Sequence, residues 1–473
     1  MDRFDLCVIG GGPAGVSGAI RASDLGKRVA LIDAGPLGGV GIFDGALSSK
    51  TLWHLAADFA RACRDDRGYD GRGLVASWPD VQAEVAAACR EAQALLVHQL
   101  SALAGSITRI AGRARFTSPH TVEVDGRTVT ADRFLIAVGS KPRVPPSFTV
   151  DGERVLTSDH VEHVTQLPKR LAIIGAGVVG CEYATVFAHF GQTAVELFDR
   201  QARILPFEDE DVSAVVAHRF DAIGVHVHRS AKIVGVEVIG DEVEVAWTDA
   251  AGATQRRRYD RVLVATGRGP STAGLGLELA GVEIDAGGGI VVDGTHTRVP
   301  HIWAAGDVTP DLMLANLAEL EARHAVEEMY GLDPPPIVHE AQSAIYFLSP
   351  EVAAVGLNEQ MARAKGIPYR AAIVYNALNR RNLAMRSTVG FVKLLARPDG
   401  RLLGLRVVGP QAGTCIQGVA LLIGQGGTLE AVDRCVHPHP AVTEGVLEAA
   451  RLLLGRSMFK PEAMDGLCKI VVG

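Results

Sequence analysis

The hydrophobic pattern changes rhythm twice inside the opening stretch LCVIGGGPAGVSGAIRASDLGKRVALID. Leu6, Val8 and Ile9 make a short buried strand, small and apolar residues then recur at helical spacing, and Val29 to Asp33 make a second strand. Arg170 to Asp199 repeats the pattern, with Leu171 to Ile174 as the first strand and Thr193 to Phe198 as the second. Between the two units, residues 80–104 place Val81, Val85, Ala88, Ala92, Leu95, Leu96, Leu100 and Leu103 at helical spacing, which predicts one long amphipathic helix. Another helix is expected from near Ser49. Gly112, Arg113 and Ala114 open a small strand pair that runs on to Ala137, Val138 and Gly139, and Lys141 to Pro146 reads as a proline-rich linker. From about Pro334 the pattern becomes alternating and β-branched, split by an Asp-Gly turn, as antiparallel strands require.

Each repeated unit carries a glycine turn between its first strand and its helix. In the first, Gly10 allows the tight turn, Gly12 lets the backbone approach a pyrophosphate, and Gly15 lets helix and strand pack closely. The phosphates then meet a helix N-terminus. Asp33 ends the second strand, where a carboxylate can accept from both hydroxyls of a ribose. Gly175, Gly177, Gly180 and Asp199 repeat the arrangement. Two complete fingerprints predict two bound dinucleotides, and Gly267, in VLVATGRGP, offers another close backbone approach. The expected fold class is α/β, two doubly wound dinucleotide-binding domains plus an α+β domain.

At 473 residues the chain exceeds what one core usually holds. A net charge of -7 supplies no basic field for nucleic acid or anionic lipid, so small-molecule partners are expected. No apolar run approaches the ~20 residues of a membrane span, and the first strand starts too early to leave room for a leader, so a cytoplasmic protein is expected. The seven cysteines lie far apart without metal-ligand spacing, so no metal site is expected and the thiols are expected reduced and mostly buried.

The glycine-rich run GPLGGVGIFDGALSSK, placed directly after the first unit, resembles the pyridine nucleotide-disulfide oxidoreductases, dihydrolipoamide dehydrogenases in particular. The resemblance extends over essentially the whole chain. It implies FAD on the first fingerprint, with Gly39, Ala114, Gly139 and Asp307 as further cofactor residues, Asp307 serving the ribitol chain. It implies NAD(P)H on the second. The implied domains are 1–145 (FAD, first part), 146–275 (NAD(P)), 276–333 (FAD, second part) and 334–473 (dimerisation). It further implies a homodimer in which His439 and Glu444 serve the other subunit's flavin, and it makes Lys50 and Glu182 a charged pair near the flavin N5.

The family's redox disulfide does not carry over. The matching positions are Gly41 and Ala46, and the proline usual before Ser-Lys is Ser48. Thiol-disulfide exchange needs a thiolate that attacks sulfur, so reduction of lipoamide by the usual route is excluded. Cys435, near His439, is a single thiol and cannot close the pair within the subunit. Removing two thiol side chains is expected to leave space beside the isoalloxazine for a flat acceptor. The residues therefore suggest a flavin-dependent NAD(P)H oxidoreductase with a small-molecule acceptor such as a quinone; a soluble transhydrogenase and a non-catalytic flavin-binding scaffold are the alternatives. Asp199 favours NADH by repelling a 2′-phosphate, whereas Arg200 could serve one. The strand before Pro206 is longer than expected, so Glu196 or Phe198 could instead occupy the acid's place.

Overall fold

The computed structural model describes residues 2–473. The chain divides into two compact units: Met1–Pro168 with Val238–Val243 and Asp260–Ile337, and Lys169–Glu237 with Glu244–Tyr259 and Val338–Gly473.

The first unit is built on a seven-stranded sheet. Strands β1 (Asp2–Ile9), β2 (Val29–Asp33), β3 (Ile107–Ala111), β4 (Ala114–Ser118), β5 (Thr121–Val124) and β6 (Arg127–Ile136) lie in the order β3-β2-β1-β6-β5-β4, and Ile302–Ala304 adds to β6 in parallel. β1 is covered on both faces, so it reads as a continuous apolar run rather than an alternating one. Leu6 and Val8 pack with Ala14, Ala19, Trp303 and Ala322, whereas Cys7 and Ile9 pack on the opposite side with Phe116 and Phe134. Helix α1 (Pro13–Asp24) and the helix Ala315–Met329 cover the first of these faces.

Two helices match the sequence expectation but differ from it in detail. Helix α2 spans Ala46–Ala62, beginning before Ser49, because the Gly45 N–H donates to Ser48 Oγ at 3.1 Å and closes the first turn early. Helix α3 spans Trp78–Ala102 as one long element. Its buried stripe is Val85, Cys89 and Leu100, while Leu95 falls on the flank and is 73% exposed.

In the second unit, β7 (Arg170–Ile174), β8 (Ala194–Phe198) and β9 (Val225–His228) form a parallel arrangement with β8 in the centre. Helix α4 (Val178–His189) follows β7 and α5 (Glu210–Ala222) precedes β9. A six-stranded sheet follows, made of β10 (Ser343–Tyr346), β11 (Val352–Gly356), β12 (Arg370–Tyr375), β13 (Phe391–Ala396), β14 (Leu402–Val408) and β15 (Cys468–Val472) in the order β10-β11-β14-β13-β12-β15. Its pairings are antiparallel, as the alternating pattern requires, and the Asp-Gly turn joins β13 to β14. Helices Ala412–Gly424 and Glu444–Leu453 pack Ile416, Val419, Val446 and Ala450 into its core. The fold is mixed α/β with two dinucleotide-binding topologies and an α+β domain.

Candidate active site

The first glycine turn has the geometry a diphosphate needs. Gly10 holds φ +112°, and a Cβ there would run into the Ala137 carbonyl at the end of β6. A Cβ at Gly15 would strike the Gly10 carbonyl, so any side chain there pushes α1 off β1. Gly12 faces open space, and as N-cap of α1 it brings no side chain to the N-terminal amides. Those amides are left to an anion. The residues present therefore fit a dinucleotide.

Asp33 does something the sequence did not reveal. Its carboxylate accepts the Gly11 N–H with one oxygen and the Gly35 N–H, at 2.8 Å, with the other, latching the end of β2 to the turn. Burial pushes this carboxyl above the usual range, and the amides of Gly35 and Gly11 oppose the shift. Each oxygen retains a further lone pair for a ribose hydroxyl.

The second turn repeats these features. Gly175 holds φ +108°, a Cβ at Gly180 would strike the Gly175 carbonyl, and Gly177 faces open space. Asp199 accepts the Ala176 N–H at 2.6 Å and the Gln201 N–H at 2.8 Å. Asp199 thus directly follows β8 and meets the glycine turn. Phe198 is fully buried and stacks on His228, and Glu196 is engaged elsewhere, bonded to His228 at 2.7 Å and to Tyr259 at 2.9 Å. Burial pushes the Glu196 carboxyl up, but His228, Arg257 and Tyr259 outweigh it and hold it at about 2. Among these residues, Asp199 is the one whose carboxylate meets the turn at the end of β8.

The loop between β2 and α2 contains no sulfur: no cysteine occurs between Cys7 and Cys63. Gly39 lies against Gly12, a Cβ on it coming within 3.3 Å of the Gly12 Cα. Gly41 ends a short 3-10 turn, and Ala46 is the first residue of α2. A Cβ on Gly41 would lie 2.5 Å from Pro13 Cγ, so the backbone at this position runs close against the proline ring. Cys89 of α3 does reach this loop, its thiol donating to the Ile42 carbonyl at 3.2 Å. Burial, with Glu162 nearby, pushes that thiol up to about 11, so it is a poor source of thiolate. Lys50 sits on α2 with Nζ 3.2 Å from Ser49 Oγ.

Asp307 follows the strand Ile302–Ala304, and Ser140 Oγ donates to its Oδ2 at 2.7 Å. Ser140 is held in turn by Arg268, whose Nε donates to Ser140 Oγ at 2.9 Å and whose Nη1 reaches Asp159 at 3.3 Å. Gly139 and Gly267, one residue before Ser140 and Arg268, both have positive φ, and the short strands Ser140–Pro142 and Arg268–Pro270 pair antiparallel. On the other side of Asp307, the Gly306 N–H donates to Glu321 Oε2 at 2.7 Å. Glu321 is 4% exposed, and burial, with Asp311 and Asp307 adding to it, pushes its carboxyl up to about 7. Ser140, Arg268 and Glu321 were missed by the sequence reading. Glu321 had left a signal, a carboxylate at a stripe position among Leu317, Ala318, Ala322 and Ala325. Ala114 begins β4 and is buried in the core with Phe116 and Ala131.

In the second unit, Glu182 lies on α4, 7% exposed, with Oε1 accepting the Phe347 N–H at 2.9 Å. His439 Nδ1 lies 2.8 Å from Glu444 Oε1, and Glu444 Oε2 accepts the Ala441 N–H at 2.9 Å. Burial works against the charge on Glu444, but the bond to His439 prevails and the carboxyl is lowered. The imidazole itself is half exposed. All seven cysteines are free thiols: Cys435 is exposed, Cys63 is half-buried and the other five are buried. Among the described residues no helix is long and apolar enough to cross a membrane, and no group of three or more His, Cys, Asp or Glu is placed to hold a metal.

Comparison with known proteins agrees with this geometry. Residues 4–322 match the pyridine nucleotide-disulphide oxidoreductase model and residues 342–450 match that family's dimerisation domain, so the chain belongs to this family of FAD- and NAD(P)H-dependent oxidoreductases. Within it the likeness is to dihydrolipoyl dehydrogenases. That of Geobacillus stearothermophilus is 34% identical over 95% of this chain and 96% of its own. The leghemoglobin reductase of Vigna unguiculata is 32% identical over 95% and 87%. Among solved structures, LpdA of Mycobacterium tuberculosis superposes with a TM-score of 0.88 at 29% identity, covering 96% of this chain and 100% of that one. The dimerisation domain supports a homodimer.

Proposed function

We propose that this protein passes hydride from NADH to FAD and then delivers electrons to a non-disulfide acceptor, such as a quinone, without a redox-active disulfide. The observation that carries the reading is the cysteine-free loop, with Gly41 and Ala46 at the positions where the family resemblance places the disulfide. Cys89, the thiol that touches the loop, is held protonated by burial, so it offers no substitute. When bound, FAD supplies the hydride and electron transfer. The chain's share is to hold and orient. The first turn and Asp33 receive FAD, Ser140 and Arg268 fix Asp307 for the ribitol chain, and the second turn with Asp199 receives the nicotinamide nucleotide. Asp199, carrying negative charge at the strand end, favours NADH over NADPH. On the strength of the resemblance Lys50 and Glu182 serve as charged groups of the reaction, and Glu444 orients His439.

Anaerobic titration tests this. A single NADH should bleach each FAD, no long-wavelength thiolate band should appear, and lipoamide should be a negligible substrate. The reduced flavin should be reoxidised by quinones or dyes; reoxidation by NADP instead would make the protein a transhydrogenase. Consumption of a second NADH per FAD would reveal a thiol pair at work and overturn the reading.

A further inference from the structure

The second glycine turn is backed by a strap. The Leu205 N–H donates to the carbonyl of Ala176, the residue between Gly175 and Gly177, at 2.9 Å. Leu205 is fully buried and holds φ +46°, a left-handed conformation that is unusual for a leucine. Something must hold it there. The residues that follow, Glu208 and Asp209, are 1% and 4% exposed, and each is gripped by a cation from the six-stranded sheet. Arg406 of β14 donates from Nε to Glu208 Oε2 at 2.8 Å, while Tyr346 donates to the other oxygen at 2.9 Å. Lys393 of β13, with no exposed surface, reaches Asp209 at 2.9 Å, Asp211 at 2.7 Å and Glu359 at 2.5 Å.

Buried ion pairs are a poor way to gain stability, since desolvation cancels most of the attraction and a well-packed apolar set does as well. What they supply is a fixed position. We propose that Lys393 and Arg406 are positioning residues for the pyridine nucleotide, holding the Leu205 strap so that the Gly175–Gly180 turn keeps the shape that receives the diphosphate. This rests on the reading of the second turn as the nicotinamide site. The first turn has a strap in the same place, the Gly38 N–H donating to the Gly11 carbonyl at 2.8 Å, but glycine there meets the backbone demand without buried charge.

The test measures NADH dissociation constants and limiting rates of flavin reduction by stopped flow on the FAD-loaded dimer. Lys393→Met should weaken NADH binding by about tenfold, with the limiting rate held within about twofold, because only the turn's alignment is lost. Lys393→Arg should recover most of the affinity. If Lys393→Met fails to fold, the charge-neutral double variant Glu208→Met with Arg406→Met should give the same split between affinity and rate. Lowered melting temperatures with unchanged NADH affinity would make the ions structural only and sink the proposal. Gly177→Val separates the two failures. If it leaves NADH affinity intact, the second turn is not the nicotinamide site and the earlier reading is at fault. If it abolishes binding while the Lys393 and Arg406 variants bind normally, the site stands and the strap proposal falls.

Discussion

The two glycine turns share their backbone conformation and close contacts and differ in their surroundings. Both have a left-handed first glycine, an uncapped helix N-terminus and an aspartate latched onto the turn by two amides. Behind the first lies a run of glycines, with Gly38 and Gly39 left-handed and Gly41 against Pro13. Behind the second lies a strained leucine whose neighbours are pinned by buried lysine and arginine. A backbone demand can thus be met by choosing a residue that bears it freely or by forcing one that does not. The first solution is local and visible in a few consecutive letters. The second requires partners nearly two hundred positions away, such as Lys393 for Asp209.

Substitution at the third glycine should separate the turns most strongly. Gly15→Val must drive α1 away from the Gly10 carbonyl and should cost about 3 kcal/mol or more, yielding colourless protein without FAD. Gly180→Val meets the same obstacle in the second unit but should leave a yellow protein that NADH no longer reduces. Visible spectra before and after NADH decide both; a yellow Gly15→Val protein would break the assignment of FAD to the first turn.

A smaller effect distinguishes the first unit by pH. Glu321 has a folded pKa raised to about 7, above the ordinary 4.5, so below both values the proton is bound in either state and nothing is lost. As pH rises through this window the unfolded chain releases its proton first, and the folded state loses stability up to an upper bound of about 3 kcal/mol. Glu321→Gln keeps an acceptor for the Gly306 N–H and removes the titration. Its apoprotein melting temperature should fall less than wild type between pH 5 and pH 8, as calorimetry can read, and parallel curves would exclude Glu321 as the titrating group.

The smallest contrast lies in the latches. Asp33→Asn and Asp199→Asn each leave one carbonyl acceptor for two amides and should cost about 1 kcal/mol. The first should weaken FAD retention and the second NADH affinity. Fluorescence titration that found either variant weakening the other nucleotide would dissolve the comparison.

The turns were legible because glycine spacing reflects sterics that act over a few residues. Helical periodicity likewise located α3, although Leu95 fell outside the buried stripe because a heptad of apolar letters does not say where the stripe's edge lies. The start of α2 was hidden by a cap, Ser48 accepting from Gly45, that has no apolar signature. The burial of Lys393 in FVKLLA has no local signature, since its carboxylates arrive from distant segments. For the same reason the register of Asp199 was ambiguous until Glu196 was seen to be engaged by His228 and Tyr259.

The latch on Asp199 bears on how the protein could change during evolution. A switch from NADH toward a phosphorylated coenzyme is commonly imagined as one exchange at the acid, trading repulsion for attraction. Here the same carboxylate satisfies the amides of Ala176 and Gln201, so a basic side chain would leave two donors without their acceptor while it gained a phosphate. On the proposed role of Asp199, coenzyme preference and the integrity of the turn are inherited together. A lineage altering one would bear a cost of about 1 kcal/mol or more at the other unless a compensating acceptor arose with it.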